Sequence, residues 1–186
     1  KLLKKFFTKS PIPTITGTAK VGATLKVTRG TWSPTPSAYS YQWYRDGKAI
    51  SKATKTSYKV TAADAGKKIT VKVTAKRSGY ATTAKTSAAK TVALQSFKTV
   101  PTPKITGTKA VGATLSATVG TWSPKPSSYT YQWYRGGVAI VGATASKYVL
   151  TDADAGAKIT VKVTAKKSGY KATAKTSAAV TIKATP

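Results

Sequence analysis

The chain of 186 residues is strongly basic, with 32 Lys and Arg against 4 acidic residues and a formal net charge of +28. Hydrophobic residues make up 40% of the chain, which is too large a share for a wholly disordered basic tail. Because it contains no His, Cys, Glu or Asn, the sequence excludes histidine bases, thiol nucleophiles, soft-metal sites and N-glycosylation acceptors.

An internal repeat with an offset of 90 residues organises the sequence. The offset relates Trp32 to Trp122 and Trp43 to Trp133, and roughly two-thirds of the positions from 11 to 90 are identical to their partners without a gap. Solenoid repeats span about 20–50 residues. The longer repeat found here therefore predicts two independent domains in tandem.

The same repeat predicts the domain boundaries. We expect small domains at residues 11–92 and 101–186, joined by a linker at 93–100 that aligns with the start of the chain. Residues 1–10 are accordingly interpreted as a linker or as the tail of a preceding repeat. An alternative for this segment is a cationic helix at a membrane surface. The apolar face of that helix would consist of Leu2, Leu3, Phe6 and Phe7.

Short runs of alternating residues predict β-strands in each repeat. In chain order, the first repeat has strand signals around Leu25 and Val27, at 39–44, at Ile50 and around Tyr58 and Val60. Residues 61–66 then form a capped helical turn that is closed by a glycine.

The clearest strand runs from Lys68 to Lys76. Because side chains alternate between the two faces of a strand, its apolar residues lie on one face and its lysines on the other. The same parity turns Trp43 inward and Tyr44 outward. About seven short strands in each repeat, with no helical periodicity elsewhere, predict an all-β protein of two tandem β-sandwiches.

Several motifs point to one family. Residues 41–47 (Tyr-Gln-Trp-Tyr-Arg-Asp-Gly) resemble the strand that carries the core tryptophan of immunoglobulin-like domains, and residues 64–66 are similar to the Asp-x-Gly corner of those domains. With 21–23, 30–34 and 78–80, the pattern resembles the immunoglobulin-like repeats of secreted and cell-surface bacterial proteins, particularly actinobacterial ones. The paired cysteines of antibody domains are absent, and the corner tyrosine is not at its usual spacing.

The resemblance implies two immunoglobulin-like sandwiches that are extracellular or cell-wall-associated. It also implies that the modules are non-catalytic appendages of wall-associated enzymes, adhesins or phage particles. In agreement, no catalytic motif, metal-ligand set or cofactor motif is evident in the sequence, and no run is apolar enough to span a membrane. Residues 152–156 echo the start of a calcium loop but lack its later glutamate.

Lysine is the main functional candidate, because only 4 of the 32 basic residues are arginine. Lysine is a hydrated point charge that suits delocalised attraction to a polyanion. We expect contact with anionic cell-wall polymers or acidic polysaccharides, with non-specific nucleic acid as an open alternative. The expected polyanion-binding residues line an outer sheet face, which the last strand extends. They are Lys68, Lys72, Lys76 and Lys85, and Lys158, Lys162, Lys166 and Lys175.

The aromatic residues are the second candidate. Trp43 and Trp133 are expected in the cores. Trp32 and Trp122, in a proline-rich connection, either cap the end of the sandwich or stack on sugars, and Tyr44 and Tyr134 are candidates for the same stacking. Two further interpretations stay open for the whole chain, namely a purely structural stalk and a surface-appendage or phage virion subunit.

Overall fold

The computed structural model describes residues 3–184. The chain divides into two compact units between Gln95 and Ser96. Apart from one short 3-10 turn in each unit, at Ala62–Asp64 and Asp152–Asp154, the regular elements of the described residues are β-strands. The prediction of an all-β protein is confirmed.

The described part of unit 1 contains eight strands, the last two of which are parts of one interrupted strand. They are β1 (Thr14–Thr16), β2 (Thr24–Thr28), β3 (Ala38–Arg45), β4 (Lys48–Ala49), β5 (Ser57–Lys59), β6 (Lys68–Lys76), β7 (Thr83–Thr86) and β8 (Lys90–Thr91).

Unit 2 repeats this order. Its strands are β9 (Lys104–Thr106), β10 (Thr114–Thr118), β11 (Ser128–Arg135), β12 (Val138–Ala139), β13 (Lys147–Val149), β14 (Lys158–Lys166), β15 (Thr173–Thr176) and β16 (Val180–Thr181).

Each unit is a sandwich of two antiparallel sheets. In unit 1 the small sheet has the order β1-β2-β5, and the large sheet has the order β4-β3-β6-β7 with β8 also paired to β6. Unit 2 has the equivalent two sheets. β4 and β5 lie at the edges of different sheets, and residues 50–56 cross from one sheet to the other between them. The Trp43 N–H donates to the Ala53 carbonyl and the Val27 N–H donates to the Thr56 carbonyl.

The alternation within β6 decides which face is buried. Ile69, Val71 and Val73 are fully buried, whereas Lys68 and Lys76 are exposed. Ile69 and Val71 pack with Leu25 of the small sheet and with Trp43 of β3. Burial of such side chains contributes about 1.5–3 kcal/mol each. The alternating sequence therefore positions a face of lysines opposite a dense core.

The tight turn between β3 and β4 uses backbone conformations that favour glycine. Asp46 and Gly47 have φ values of 45° and 79°, and Gly136 and Gly137 replace them in unit 2. Two consecutive positive φ angles are typical of the hairpin turn that matches strand twist, which Asp-Gly readily adopts. The turn fixes the register of the short edge strand β4.

The last strand of each unit is interrupted by a buried serine. The Ser87 hydroxyl accepts a hydrogen bond from the Val71 backbone N–H at 3.0 Å, and the Ser87 N–H donates to the Val71 carbonyl at 2.9 Å. Ser177 and Val161 repeat the arrangement. The strand therefore resumes as β8 after an irregular segment.

Residues 3–10 extend along unit 1 and form no helix. Lys5 pairs with Tyr80 and Lys9 with Ser33 as isolated bridges, and Phe7 is buried. The alternative of an apolar helix face is therefore wrong for Leu3, Phe6 and Phe7, while Leu2 lies outside the described residues. Phe97 is buried in the same way in unit 2. Both phenylalanines, although in segments predicted as linkers, belong to the packed units.

Candidate polyanion-binding surface

The outer face of the large sheet carries the predicted lysine row in both units. Lys68 and Lys76 are exposed and Lys72 is half-buried, and in unit 2 Lys158, Lys162 and Lys166 are all exposed. Because these lysines recur at every fourth residue, neighbouring ones stand about 13 Å apart along the strand. That spacing exceeds the Debye length of about 8 Å at physiological salt, so each acts as a separate charge.

Two predicted members of this face lie elsewhere. Lys85 is directly opposite Val73, and Lys175 is directly opposite Val163. Residues directly opposite each other in an antiparallel pair share a face. Lys85 and Lys175 therefore lie on the side of the core residues, and the prediction that they extend the outer lysine row is wrong. The pairing register of an edge strand is not readable from its own short sequence, which explains the error.

An aromatic ring accompanies the lysines on each outer face. The Lys72 ammonium lies 5.5 Å from the centre of the Tyr44 ring, within reach of a cation–π interaction. In unit 2, Tyr134 and Lys162 line a shallow hollow together with Thr160 and Thr176. Tyr44 and Tyr134 are half-buried, so each leaves part of its ring on the outer face.

The other two sugar-stacking candidates are buried. Trp32 and Trp122 are only 4% and 5% exposed. Phe7 packs edge-on against Trp32 at 5.4 Å, and Phe97 packs in the same way against Trp122 at 5.2 Å. With their ring faces covered, these tryptophans cannot stack on sugars, so that interpretation is wrong for them. They cap the end of each sandwich, which was the other alternative.

Trp43 and Trp133 lie in the cores, as predicted, and are fully buried. The Trp43 indole stacks on Tyr58 with a centroid distance of 5.6 Å, and its N–H donates to the Lys55 carbonyl at 2.8 Å. Trp133 stacks on Tyr148 in the same way. The indole therefore ties the large sheet to the segment that leads into β5.

Sequence reasoning missed a buried ionic network at this end of the core. The Asp64 carboxylate is fully buried. One oxygen accepts a hydrogen bond from Arg45 Nε at 2.6 Å, and the other accepts from the Tyr58 hydroxyl at 2.7 Å and the Thr61 backbone N–H at 2.7 Å. The capped turn that the sequence predicts at residues 61–66 accounts for the bond from the Thr61 N–H but not for those from Arg45 and Tyr58. An aspartate stands at the position of Asp64 in both repeats although the chain has only 4 acidic residues. This repetition was the sequence signal that could have pointed to the network.

The network keeps its carboxylates ionised. Burial raises the pKa of Asp64, but the hydrogen bonds from Thr61, Tyr58 and Arg45 outweigh burial, so the pKa lies below its usual value. The hydrogen bond to Asp64 raises the pKa of Arg45. In unit 2 burial likewise opposes the hydrogen bonds that lower the pKa of Asp154. These acids are structural and are not available to an external ligand.

The described residues contain neither a cluster of metal ligands nor a membrane-spanning helix. Between residues 3 and 184, no three His, Cys, Asp or Glu side chains lie close enough together to hold a metal ion. Within the same range, no helix is long and apolar enough to cross a membrane.

Comparison with known proteins identifies the fold. The chain is 15% identical to a fragment of the ICAM-5 ectodomain containing domains D1–D4, with a TM-score of 0.51, over 92% of this chain and 53% of that one. It thus spans about half the length of that fragment. Murine CEACAM1b matches with 12% identity and a TM-score of 0.45, over 94% and 99% of the two chains. Sidekick-1 immunoglobulin domains 1–5 match with 17% identity and a TM-score of 0.38, over 95% and 40%.

The chain is a tandem of two immunoglobulin-like β-sandwich domains. At such low identity the likeness concerns the fold alone. No protein-family model matches the sequence, and no curated protein is significantly similar to it. The fold alone does not specify a function.

Proposed function

We propose that this chain is a non-catalytic module of a secreted or cell-surface protein, of the actinobacterial type that the sequence resembles. It acts as a spacer and binds anionic cell-wall polymers or acidic polysaccharides electrostatically. The binding residues are the outer lysine rows at Lys68, Lys72 and Lys76, and at Lys158, Lys162 and Lys166. Lys85 and Lys175, on the other face, add to the general positive field.

The lack of compensating charge is the observation that carries the proposal. In the part of the chain that the structure describes, three ion pairs form, and Lys67 is the one lysine among their members. Two of the four acids are buried in the Arg–Asp networks. None of the six outer lysines is therefore in an ion pair among the described residues, although Asp46 lies beside Lys68 and accepts its backbone N–H. A charge of +28 repels itself unless counter-ions or a polyanion are bound.

Counter-ion release provides the driving force. A polymer of closely spaced anionic groups holds a layer of cations, and each lysine that replaces one of them returns a cation to solution. Affinity then falls steeply as salt rises. Because lysines approach as hydrated point charges, this mechanism favours polymers of high charge density over one particular sugar or base sequence.

A binding assay on purified bacterial cell walls tests the proposal. We expect the intact 186-residue chain to be retained at about 20 mM NaCl and released by about 500 mM, and retention to be lost on walls stripped of anionic polymers. The variant carries Lys→Gln at the six outer positions and should elute at lower salt. Absence of retention at low salt would contradict the proposal and favour a purely structural stalk or a virion or surface-appendage subunit.

A carbohydrate-binding role is the second candidate, because Tyr44 and Tyr134 lie on the same outer faces and the Tyr134 hollow adjoins Lys162. Ring stacking on sugars does not depend on counter-ion release. This candidate therefore predicts retention that survives about 500 mM NaCl and is lost in the Tyr44→Ala, Tyr134→Ala double variant.

A further inference from the structure

The two repeats differ most in the segment that connects β4 to β5 and in β5 itself. Between residues 51 and 60, seven of the ten positions differ from their partners at 141–150. In contrast, the nine residues of β6 are identical to those of β14. The outer lysine row is thus shared by the two units, whereas this side of the sandwich has diverged.

The divergence concerns charge. Five lysines of unit 1 on this side have uncharged partners in unit 2. The pairs are Lys48 and Val138, Lys52 and Gly142, Lys55 and Ala145, Lys59 and Val149, and Lys67 and Ala157. Two changes go in the other direction. Ser57 corresponds to Lys147, and the acid Asp46 corresponds to Gly136.

These lysines line a continuous surface in unit 1, which we call the β4–β5 groove. It consists of two adjoining hollows that share Arg45 and Ile50. Lys52, Lys55 and Lys59 line the first hollow, and Lys48 and Lys67 line the second. The Arg45 side chain is about one-third exposed (32%) while its Nε is held by Asp64, so a fixed guanidinium stands where the hollows join.

Little opposes the charge of this groove. Asp46 is the one exposed acid in its lining, and its carboxylate is paired with the Lys67 ammonium at 3.1 Å and accepts the Lys68 backbone N–H at 2.9 Å. The equivalent hollow of unit 2 is lined by two cations, Arg135 and Lys147, together with Val141 and Val149. Exposed fractions of 99% for Val141 and 72% for Val138 make this side of unit 2 distinctly apolar.

The backbone at Lys52 is a second, independent indication. Lys52 has a φ of 58°, a left-handed backbone conformation that is unfavourable for residues other than Gly, Asn or Asp. At the same place unit 2 has Gly142 with a φ of 76°. Residues held in such conformations cluster at functional sites. Unit 1 thus retains a lysine where the fold favours glycine, which indicates a use for its charge.

We propose that the β4–β5 groove of unit 1 is a localised binding site for a linear polymer with repeating phosphate or carboxylate groups. The inference rests on the proposed function and goes beyond it, since it assigns tight binding to unit 1 alone. The polymer chain lies along the side of the sandwich between β4 and β5, in contact with the five lysines and the Arg45 guanidinium. The outer lysine rows attract the polymer, and the groove holds it.

The repeat supplies the test, because unit 2 provides replacements that the fold accepts. In the groove variant, five lysines take the residues of unit 2: Lys48→Val, Lys52→Gly, Lys55→Ala, Lys59→Val and Lys67→Ala. The matched control also takes unit 2 residues and loses the same five charges from other parts of unit 1. Its changes are Lys5→Gln, Lys9→Thr, Lys20→Ala, Lys26→Ser and Lys90→Val.

Binding of the intact 186-residue chain to inorganic polyphosphate and to polyglutamate is measured across a salt series, and tryptophan fluorescence verifies folding. We expect the groove variant to bind at least about tenfold more weakly at low salt, with a salt slope shallower by about 3, while the control changes about threefold or less. If the two variants lose affinity equally, the proposed groove site is contradicted, while the proposed polyanion-binding function is not. No binding by the unsubstituted chain overturns both.

A second variant that should gain binding makes the test independent of whether the groove variant folds correctly. Transferring the five lysines to unit 2 (Val138→Lys, Gly142→Lys, Ala145→Lys, Val149→Lys and Ala157→Lys) should create a second site and raise the number of polymer segments bound per chain. An unchanged stoichiometry would contradict the proposal.

Discussion

Asp64 and Asp154 show how single residues position a whole turn. Each carboxylate joins an arginine of the large sheet to a tyrosine of the small sheet and to the start of the 3-10 turn. A carboxylate removed from water is tolerated only when charge and hydrogen bonds compensate for its burial. Each network therefore holds the two sheets of its sandwich in a fixed relative position at one end.

Replacing Asp154 by Asn should destabilise unit 2 by about 2–3 kcal/mol, because Arg135 and the Tyr148 hydroxyl lose a charged acceptor. The exposed fraction of Arg135 keeps the loss below that of a fully buried pair. Urea unfolding monitored by tryptophan fluorescence measures the effect. Asp152→Ala removes one negative charge from the same turn and restores the residue found at Ala62, so we expect little change from it. Equal effects of the two substitutions would argue against the network.

The same two carboxylates predict the response to acid. Their pKa values are lower in the folded chain than the ordinary value of 3.8, so the unfolded chain binds more protons in acid. The resulting stabilisation is complete above about pH 4 and is lost as the pH falls through the lowered pKa. With no His in the chain, the urea midpoint should be flat from pH 5 to 8 and fall below pH 4. An Asp64→Asn, Asp154→Asn variant should show a smaller acid loss.

At the scale of elements, the segment before β1 contributes to the core. Phe7 packs on Trp32 and on Tyr80, at centroid distances of 5.4 Å each. The backbone around it is held by hydrogen bonds from the Lys5 N–H to the Gly79 carbonyl and from the Ala81 N–H to the Lys5 carbonyl. This segment therefore acts as a ninth, irregular strand of unit 1.

Phe7→Ala should destabilise unit 1 by about 3 kcal/mol, since it removes a buried aromatic ring and leaves a cavity beside Trp32. Phe6→Ala is the matched control, because the Phe6 side chain is 75% exposed whereas the adjacent Phe7 is buried. Equilibrium unfolding in urea compares the two. If both changes prove equally harmless, the packing of this segment contributes little to stability.

The parts of the fold that follow from alternation were predictable. Parity alone assigned Trp43 to the core and Lys68, Lys72 and Lys76 to the outer face, because a strand exposes every second side chain. Features that depend on partners distant in sequence were not predictable in this way. The Arg45–Asp64 pair joins residues on different elements, and the burial of Trp32 depends on Phe7, which precedes the predicted domain. Lys85 was misplaced because its face depends on pairing with β6.

At the scale of the molecule, the net charge opposes compaction. At low ionic strength the positive side chains within each unit repel one another. Salt screens the repulsion between charges that are more than about 8–10 Å apart. We expect the thermal midpoint to rise between 10 and 150 mM NaCl, the reverse of a protein stabilised by surface ion pairs. The measurement is a thermal scan across a salt series. A midpoint that falls with salt would show that favourable surface pairs dominate.

The placement of Phe97 also affects how the chain should be cut. An excised second half that began at Pro101, where the sequence repeat starts, would lack this ring and leave one face of Trp122 open to water. Beginning at Ser96 keeps the ring, so the choice of a few residues decides whether such a fragment reports the properties of an intact sandwich or of a damaged one.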